Sequence, residues 1–404
     1  MVLKVSKRVK NVEYAIRDIV VYAKKLEKQG KKILYLNIGD PVAYDFKTPK
    51  HVKDALIDSI LKDETNYAPS EGVEELRNII AEKEREKGLA ANPNDVLITN
   101  GVSEAVDMTM GSILEDGDEI LVPGPCYPPY SSYAKLHGGN PIEYRSIEDN
   151  GWMPDMDDIR SKITSKTVAL TVISPNNPTG AVYDEKTLKE LVQIAAEHNL
   201  YLLCDEIYDQ IIFDDKFSSI AKYANDVPLI MLNGFSKVYL MTGLRLGYIC
   251  MNSSSKALDD LRENIPKLAR VRIAANTPVQ KAAIEVLRGS DDHIKDMVSR
   301  LRARRDYVMK RLDGMARLSY TKPKGAFYIF PKIDLNGSRW KSDVDFVMDL
   351  LNTTGVLSVH GSGFGKQYGQ GHFRMVFLPP LDTLEEAMNR LEEFTKNDQS
   401  EFAT

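Results

Sequence analysis

The sequence predicts an α/β protein in which a large unit, built on a mostly parallel seven-stranded sheet flanked by helices, is joined to a smaller α+β unit. Three observations lead there. Seven short apolar runs alternate with helical patterns between residues 94 and 251, and runs such as TVALTVI and YLLCD are apolar on both faces, as strands covered by helices on both sides must be. From residue 315 onward short strands and helices mix without that regularity. The 404 residues leave room for two large or three ordinary domains at roughly 150 residues each.

Each element has a local reason. Val12, Ile16, Ile19, Val20, Ala23 and Leu26 recur at helical spacing and stop at Gly30, a glycine C-cap, and a short strand follows over 33–38. Thr48 and Pro49 read as N-cap and first helical residue, and Ser70 as the opening of a helix that runs through Glu86. Strands are expected over 94–99, 118–122, 140–145, 167–173, 200–204, 228–233 and 245–251, with helices over 101–115 and 184–198. A nearly uninterrupted helical stretch covers 256–314. Beyond it, strands 317–320, 326–330, 355–359 and 372–378 alternate with helices 343–353 and 382–396. There is no internal repeat and no linker rich in Pro, Gly and Ser, so the units should pack tightly. The division expected is 48–314 for the large unit, with 1–47 and 315–404 together forming the small one and an N-terminal arm.

Composition narrows the function. Fifty-three basic against 58 acidic residues give a formal charge of −5, the wrong sign for a general nucleic-acid binder, so any anion must be met locally. The basic lean of the first 32 residues reads as a solvated helix face. No run of 18 apolar residues and no signal-peptide pattern is present, and Cys126, Cys204 and Cys250 show no CxxC spacing; a soluble cytoplasmic protein is expected. Six histidines without a ligand pattern argue against a metal site.

The segment most informative about chemistry is NGFSKVYLMTGLRLGY, 233–248. Lys237 follows a strand directly among small residues, and Arg245 lies eight residues later in a glycine-flanked turn. Asp205 ends a buried strand, in the crevice outside the carboxyl ends where open α/β sheets place ligands. Read alone it is a helix N-cap, as ISPNNPTGAVY read alone is a rigid turn at Asn177. A strand runs through Gly101 into a helix, leaving the amides of Gly101, Val102 and Ser103 free at a positive helix end suited to phosphate. Gly39 in LNIGDP reads as a turn glycine. The loop GSGFGKQYGQG, 361–371, fits neither a Walker A nor a Rossmann spacing and reads as a mobile connection.

Taken together, these segments resemble the class I pyridoxal-phosphate aminotransferases of fold type I, in order and over nearly the whole chain, including KPKGAFYIFP. The resemblance implies pyridoxal 5'-phosphate as cofactor. Lys237 would carry it as a Schiff base and serve again as the base for the substrate's α-proton. Asp205 would bond the pyridine nitrogen, Tyr208 and Asn177 the phenolic oxygen, and Tyr127 would stack on the ring. Arg245, with Gly101, Val102 and Ser103, would hold the phosphate, and Tyr67 would reach it from the partner subunit of a homodimer. Most members place a serine or threonine three before the lysine; here that residue is Gly234, and Ser236 precedes the lysine directly. Arg374 in GHFRMVFLPP matches the arginine that takes the α-carboxylate, and Gly39 a glycine bordering the substrate.

Within the family, YAIRDIVVYAKKLEKQGKKILYLNIGDP and PDMDDIRSKIT look most like the alanine aminotransferase branch, which exchanges an amino group between L-alanine and 2-oxoglutarate by a ping-pong mechanism. Arg17 is then the candidate to meet the distal carboxylate. Aspartate- and aromatic-type aminotransferases share the same motifs and differ in the side-chain pocket. A carbon–sulfur β-lyase of the same fold would need no keto-acid acceptor, and a non-catalytic pyridoxal-phosphate-binding protein is the remaining reading.

Overall fold

A computed structural model describes residues 3–10, 12, 15–214 and 216–400, with side chains to 397. The parts of the expected small unit at 1, 2, 11, 13, 14 and 401–404 lie outside the described residues.

The chain opens with helices α1 (Lys7–Lys10) and α2 (Ala15–Lys28), strand β1 (Leu34–Tyr35) and helices α3 (Lys50–Leu61) and α4 (Glu74–Glu86). Helix α2 buries Ile16, Ile19 and Ala23 and leaves its basic residues outside. The large sheet begins at β2 (Val96–Thr99), followed by α5 (Val102–Ile113), β3 (Glu119–Gly124), α6 (Pro129–Leu136), β4 (Asn140–Ile147), β5 (Met153–Pro154) and α7 (Met156–Lys162). It continues through β6 (Thr167–Ile173), α8 (Glu185–Glu197), β7 (Tyr201–Asp205), β8 (Leu229–Gly234) and β9 (Gly247–Met251).

The strand order is β2-β9-β8-β7-β6-β3-β4-β5. All seven expected strands are present, and the two-residue β5 adds an antiparallel eighth at the edge. Of the seven, only β9 runs against the others. Side chains on both faces of β6, β7 and β8 are buried, which is why their sequences carry no polar alternation. The order reverses between β3 and β6, and the loops leaving β2, β3, β6, β7 and β8 converge there on one rim.

After the sheet come α9 (Asp259–Arg272), α10 (Thr277–Arg288) and α11 (Asp292–Leu312). The expected continuous helical stretch is therefore three helices. Ile273, with φ +82°, ends the first, and the Asn276 side chain caps the second by accepting from the Val279 amide. Helix α4 also starts later than expected, at Glu74 instead of Ser70. Gly72, at φ +111°, lies so close to Ile98 that a Cβ would stand 2.1 Å from its Cγ1, and this turn delays the helix.

The C-terminal part holds β10 (Leu318–Ser319), β11 (Tyr328–Ile329), β12 (Lys332–Ile333), α12 (Asp343–Thr354), β13 (Val356–Leu357), β14 (Val359–His360), β15 (Phe373–Val376) and α13 (Leu381–Ser400). β1 pairs in parallel with β13, so residues from both parts of the chain share one ladder. β15 pairs antiparallel with β11 and β14, which fixes Arg374 opposite Val359.

Candidate active site

At the rim where the large sheet meets β11 and β15 lies a cavity of about 750 Å³. Of the fourteen residues singled out from sequence, twelve line it: Arg17, Gly39, Val102, Ser103, Tyr127, Asn177, Asp205, Tyr208, Ser236, Lys237, Arg245 and Arg374. Gly101 stands just behind as the N-cap of α5, at φ +84°. Tyr67 is 77% exposed and does not reach the cavity.

Lys237 leaves the end of β8, and its Nζ donates to the Gly39 carbonyl at 2.6 Å. Burial pulls this amine down from its usual value to about 8; Asp40 opposes the shift, while Arg245 and Arg374 add to it. At pH 7 about a tenth of such an amine is neutral, roughly 300 times more than for an ordinary lysine. The small flanking residues have a steric cause. Gly234 pairs with Gly247 across β8 and β9, and a Cβ on Gly234 would stand 2.8 Å from the Leu246 carbonyl oxygen. A serine or threonine therefore cannot occupy that position here, and Ser236 supplies the hydroxyl that faces the cavity.

Asp205, 5% exposed at the end of β7, accepts from Tyr130 Oη at 2.8 Å and from the Ile207 amide at 3.0 Å. Burial raises its carboxyl to about 6; the Ile207 and Tyr130 hydrogen bonds and Lys237 offset only part of this. Tyr208 and Tyr328 share a hydrogen bond between their hydroxyls at 2.8 Å, and burial raises the Tyr208 phenol well above its usual value.

Arg245 sits at φ +56° against the start of α5 and donates from Nη1 to the Thr242 carbonyl at 2.9 Å. A Cβ on Gly101 would stand 2.3 Å from its Nη2, so glycine is what lets the guanidinium lie beside the free amides of the helix start. Across the cavity, buried Arg374 donates to Asn177 Oδ1 at 2.7 Å and to the Asn37 carbonyl. Its guanidinium lies over two aromatic rings, 4.5 Å from the Tyr328 ring centre and 4.6 Å from that of Phe364.

The sequence reading missed Tyr130, Tyr328, Asp40 and Thr242, all of which line the cavity. Thr242 Oγ1 donates to Asp40 Oδ1 at 2.8 Å. Tyr328 stands in KPKGAFYIFP, and Tyr130 stands three residues after Tyr127 in CYPPY. Formally the lining carries Arg17, Lys237, Arg245 and Arg374 against Asp40 and Asp205, a local cationic excess in an acidic chain.

The family model for aminotransferase class I and II matches residues 31–391. The chain belongs to this aminotransferase family. Glutamate-pyruvate aminotransferase AlaA of Haemophilus influenzae is 40% identical over 397 residues, covering 96% of this chain and 97% of that one. Alanine aminotransferase of Mycobacterium tuberculosis is 38% identical over 396 residues, 96% of this chain and 92% of that one. Among solved structures, alanine aminotransferase from Pyrococcus furiosus superposes with a TM-score of 0.95 at 51% identity, covering 98% of this chain and all of the other. The aminotransferase fold expected from the sequence, and the enzyme class, are thus both found. Among the described residues, no helix is long and apolar enough to cross a membrane.

Proposed function

We propose that this aminotransferase moves the amino group of L-alanine to 2-oxoglutarate, yielding pyruvate and L-glutamate, with pyridoxal 5'-phosphate as cofactor. The observation that carries the reading is Lys237: an amine brought down to about 8, at the end of a sheet strand, with a buried carboxylate and two guanidiniums around one cavity. The similarity to named alanine aminotransferases supports the choice of amino acid.

The donor set fits the cofactor. Its phosphate dianion suits Arg245, Ser236 and the amides of Gly101, Val102 and Ser103 at the start of α5. Tyr127 offers a ring face, Asp205 a carboxylate for the pyridine nitrogen, and Tyr208 and Asn177 polar groups for the phenolic oxygen. When bound, pyridoxal phosphate supplies a carbonyl that amines attack and a cationic ring that takes up electron density from the α-carbon.

The chain's own groups do the rest. Neutral Lys237 Nζ is nucleophilic, and once released it accepts the α-proton. Arg374, packed against Tyr328 and Phe364 and hydrogen-bonded to Asn177, offers a fork of donors to the α-carboxylate and so sets which bond at the α-carbon is broken. Gly39 borders the substrate, where a Cβ would stand 2.0 Å from Tyr328 Oη. Arg17, exposed at the mouth on α2, meets the distal carboxylate of glutamate and 2-oxoglutarate.

The same reading makes the protein a cytoplasmic homodimer. Leu61, Tyr67 and Val271, each at least 77% exposed, are apolar surface for a partner, and Tyr67 would reach the partner's phosphate site. It also divides the chain into 48–314 and 1–47 with 315–404, which the β1–β13 ladder supports.

Holoenzyme incubated with single amino acids and no acceptor tests the proposal. Alanine and glutamate should each release about one keto acid per subunit, as a ping-pong half-reaction requires, with aspartate and tyrosine slow. Continuous release of pyruvate without acceptor, or no response to alanine, would overturn it. Arg17→Ala should weaken glutamate more than alanine; equal effects would remove Arg17 from the site.

A further inference from the structure

The glycine-rich loop 361–371, expected as a mobile connection, is instead clamped. It leaves β14, returns at β15 immediately before Arg374, and crosses itself so closely that a Cβ on Gly361 or Gly369 would stand 2.1 Å from the other's carbonyl oxygen. The Gly361 amide donates to the His372 carbonyl at 2.7 Å, closing the base of the loop.

The tip is held by one side chain from the large sheet. Glu143 on β4 accepts the Lys366 amide on Oε1 at 2.8 Å and the Gln367 amide on Oε2 at 3.1 Å. A Cβ on Gly365 would stand 2.9 Å from Glu143 Oε2, so the glycine makes room for the carboxylate. Two further ties flank it: the Cys126 amide donates to the Phe364 carbonyl at 2.8 Å, and Lys162 Nζ donates to Tyr368 Oη at 2.8 Å. Between these anchors Phe364 is buried, with its ring 4.6 Å from the Arg374 guanidinium.

We infer that Glu143 is a positioning residue for substrate carboxylate binding: by clasping the 365–367 backbone to the large sheet it sets the height of Phe364, and thereby the plane of Arg374. Glu143 does not line the cavity. A planar fork discriminates by angle as well as by charge, so a small tilt of Arg374 weakens bidentate capture while leaving the cation in place. The inference rests on the reading that Arg374 binds the α-carboxylate.

The test compares two ligands of one holoenzyme. Propionate, which is alanine without its amino group, probes the carboxylate site, and the dissociation constant of pyridoxal phosphate probes the far side of the cavity. Glu143→Ala should raise the inhibition constant of propionate and the KM for alanine about tenfold, with kcat and cofactor affinity within about twofold. Glu143→Gln keeps one acceptor and should fall between. Phe364→Leu, which removes the aromatic face without touching the clasp, should reproduce the propionate effect. Unchanged propionate inhibition in Glu143→Ala overturns the inference, as does an equal loss of propionate and cofactor affinity, which would mark general loosening. If Glu143→Ala fails to fold, unchanged propionate inhibition in Phe364→Leu overturns it alone. Arg374→Gln separates the two layers: if it leaves propionate inhibition intact, the carboxylate-site reading itself fails.

Discussion

Asp205 should cost the cofactor-free protein stability, and replacing it should show how much. Burial raises its carboxyl from 3.8 to about 6, worth about 3 kcal/mol. The sign follows from linkage. A carboxyl whose folded value is raised favours the fold while protonated, and that contribution is lost as pH climbs from 3.8 through 6. Above pH 7 the fold therefore carries the whole penalty, and at pH 4 only about a fifth of it. Asp205→Asn is neutral at every pH, keeps an acceptor for the Ile207 amide and can still meet the Tyr130 hydroxyl. With about 0.85 kcal/mol/K of unfolding entropy for 404 residues, the variant apoenzyme should melt about 3–4 °C higher than the parent at pH 8 and about 1 °C higher at pH 4. Thermal unfolding of the cofactor-free proteins by circular dichroism measures this, with loss of transamination expected in the same variant. A lower melting temperature at pH 8, or a gain of equal size at both pH values, would refute the reasoning.

Three other outcomes follow from the same geometry. Gly101→Ala places a methyl 2.3 Å from Arg245 Nη2 at a φ of +84°, so pyridoxal phosphate affinity, measured by fluorescence titration, should fall at least about tenfold. Cofactor uptake by the apoenzyme should quicken with pH around an apparent value of 8 as Lys237 loses its proton; Asp40→Asn removes the carboxylate that opposes this and should move the midpoint lower in stopped-flow profiles. Lys87 bridges Glu84 at 3.0 Å and Asp209 at 2.6 Å, both carboxylates nearly fully buried, so Lys87→Met should destabilise the fold by about 3–5 kcal/mol in urea titrations, and a loss under 1 kcal/mol would contradict it.

What the sequence made legible were features carried by short segments. The seven sheet strands follow from apolar runs whose reach is local, and Lys237, Arg245, Asp205 and Asn177 each stand in a segment with its own spacing. The start of α4 was misplaced because the turn at Gly72 answers to Ile98, a neighbour brought in by β2. Tyr130 and Tyr328 escaped for a related reason. Nothing in CYPPY says that its last hydroxyl points at Asp205, 75 residues on, and Tyr328 finds Tyr208 only when β11 is laid across the rim. The loop at 361–371 was misread because its five glycines read as freedom, although several of them are there to let backbone and carboxylate approach.

The two guanidiniums facing the cavity illustrate why charge alone does not describe this site. Arg245 lies exposed beside a helix start, its donors directed to carbonyls at Thr242 and Asn100, in surroundings that suit a phosphate met from several directions. Arg374 is buried, with the rings of Tyr328 and Phe364 against its guanidinium, and it donates to Asn177 Oδ1 and the Asn37 carbonyl. Under the proposed function a carboxylate would take two parallel hydrogen bonds from that guanidinium, whereas at Arg245 the amides at the start of α5 add further donors around a phosphate. On the proposed function the phosphate side would draw its geometry from strands of one continuous sheet, and the carboxylate side from β11, β15 and a loop fastened to that sheet through Glu143.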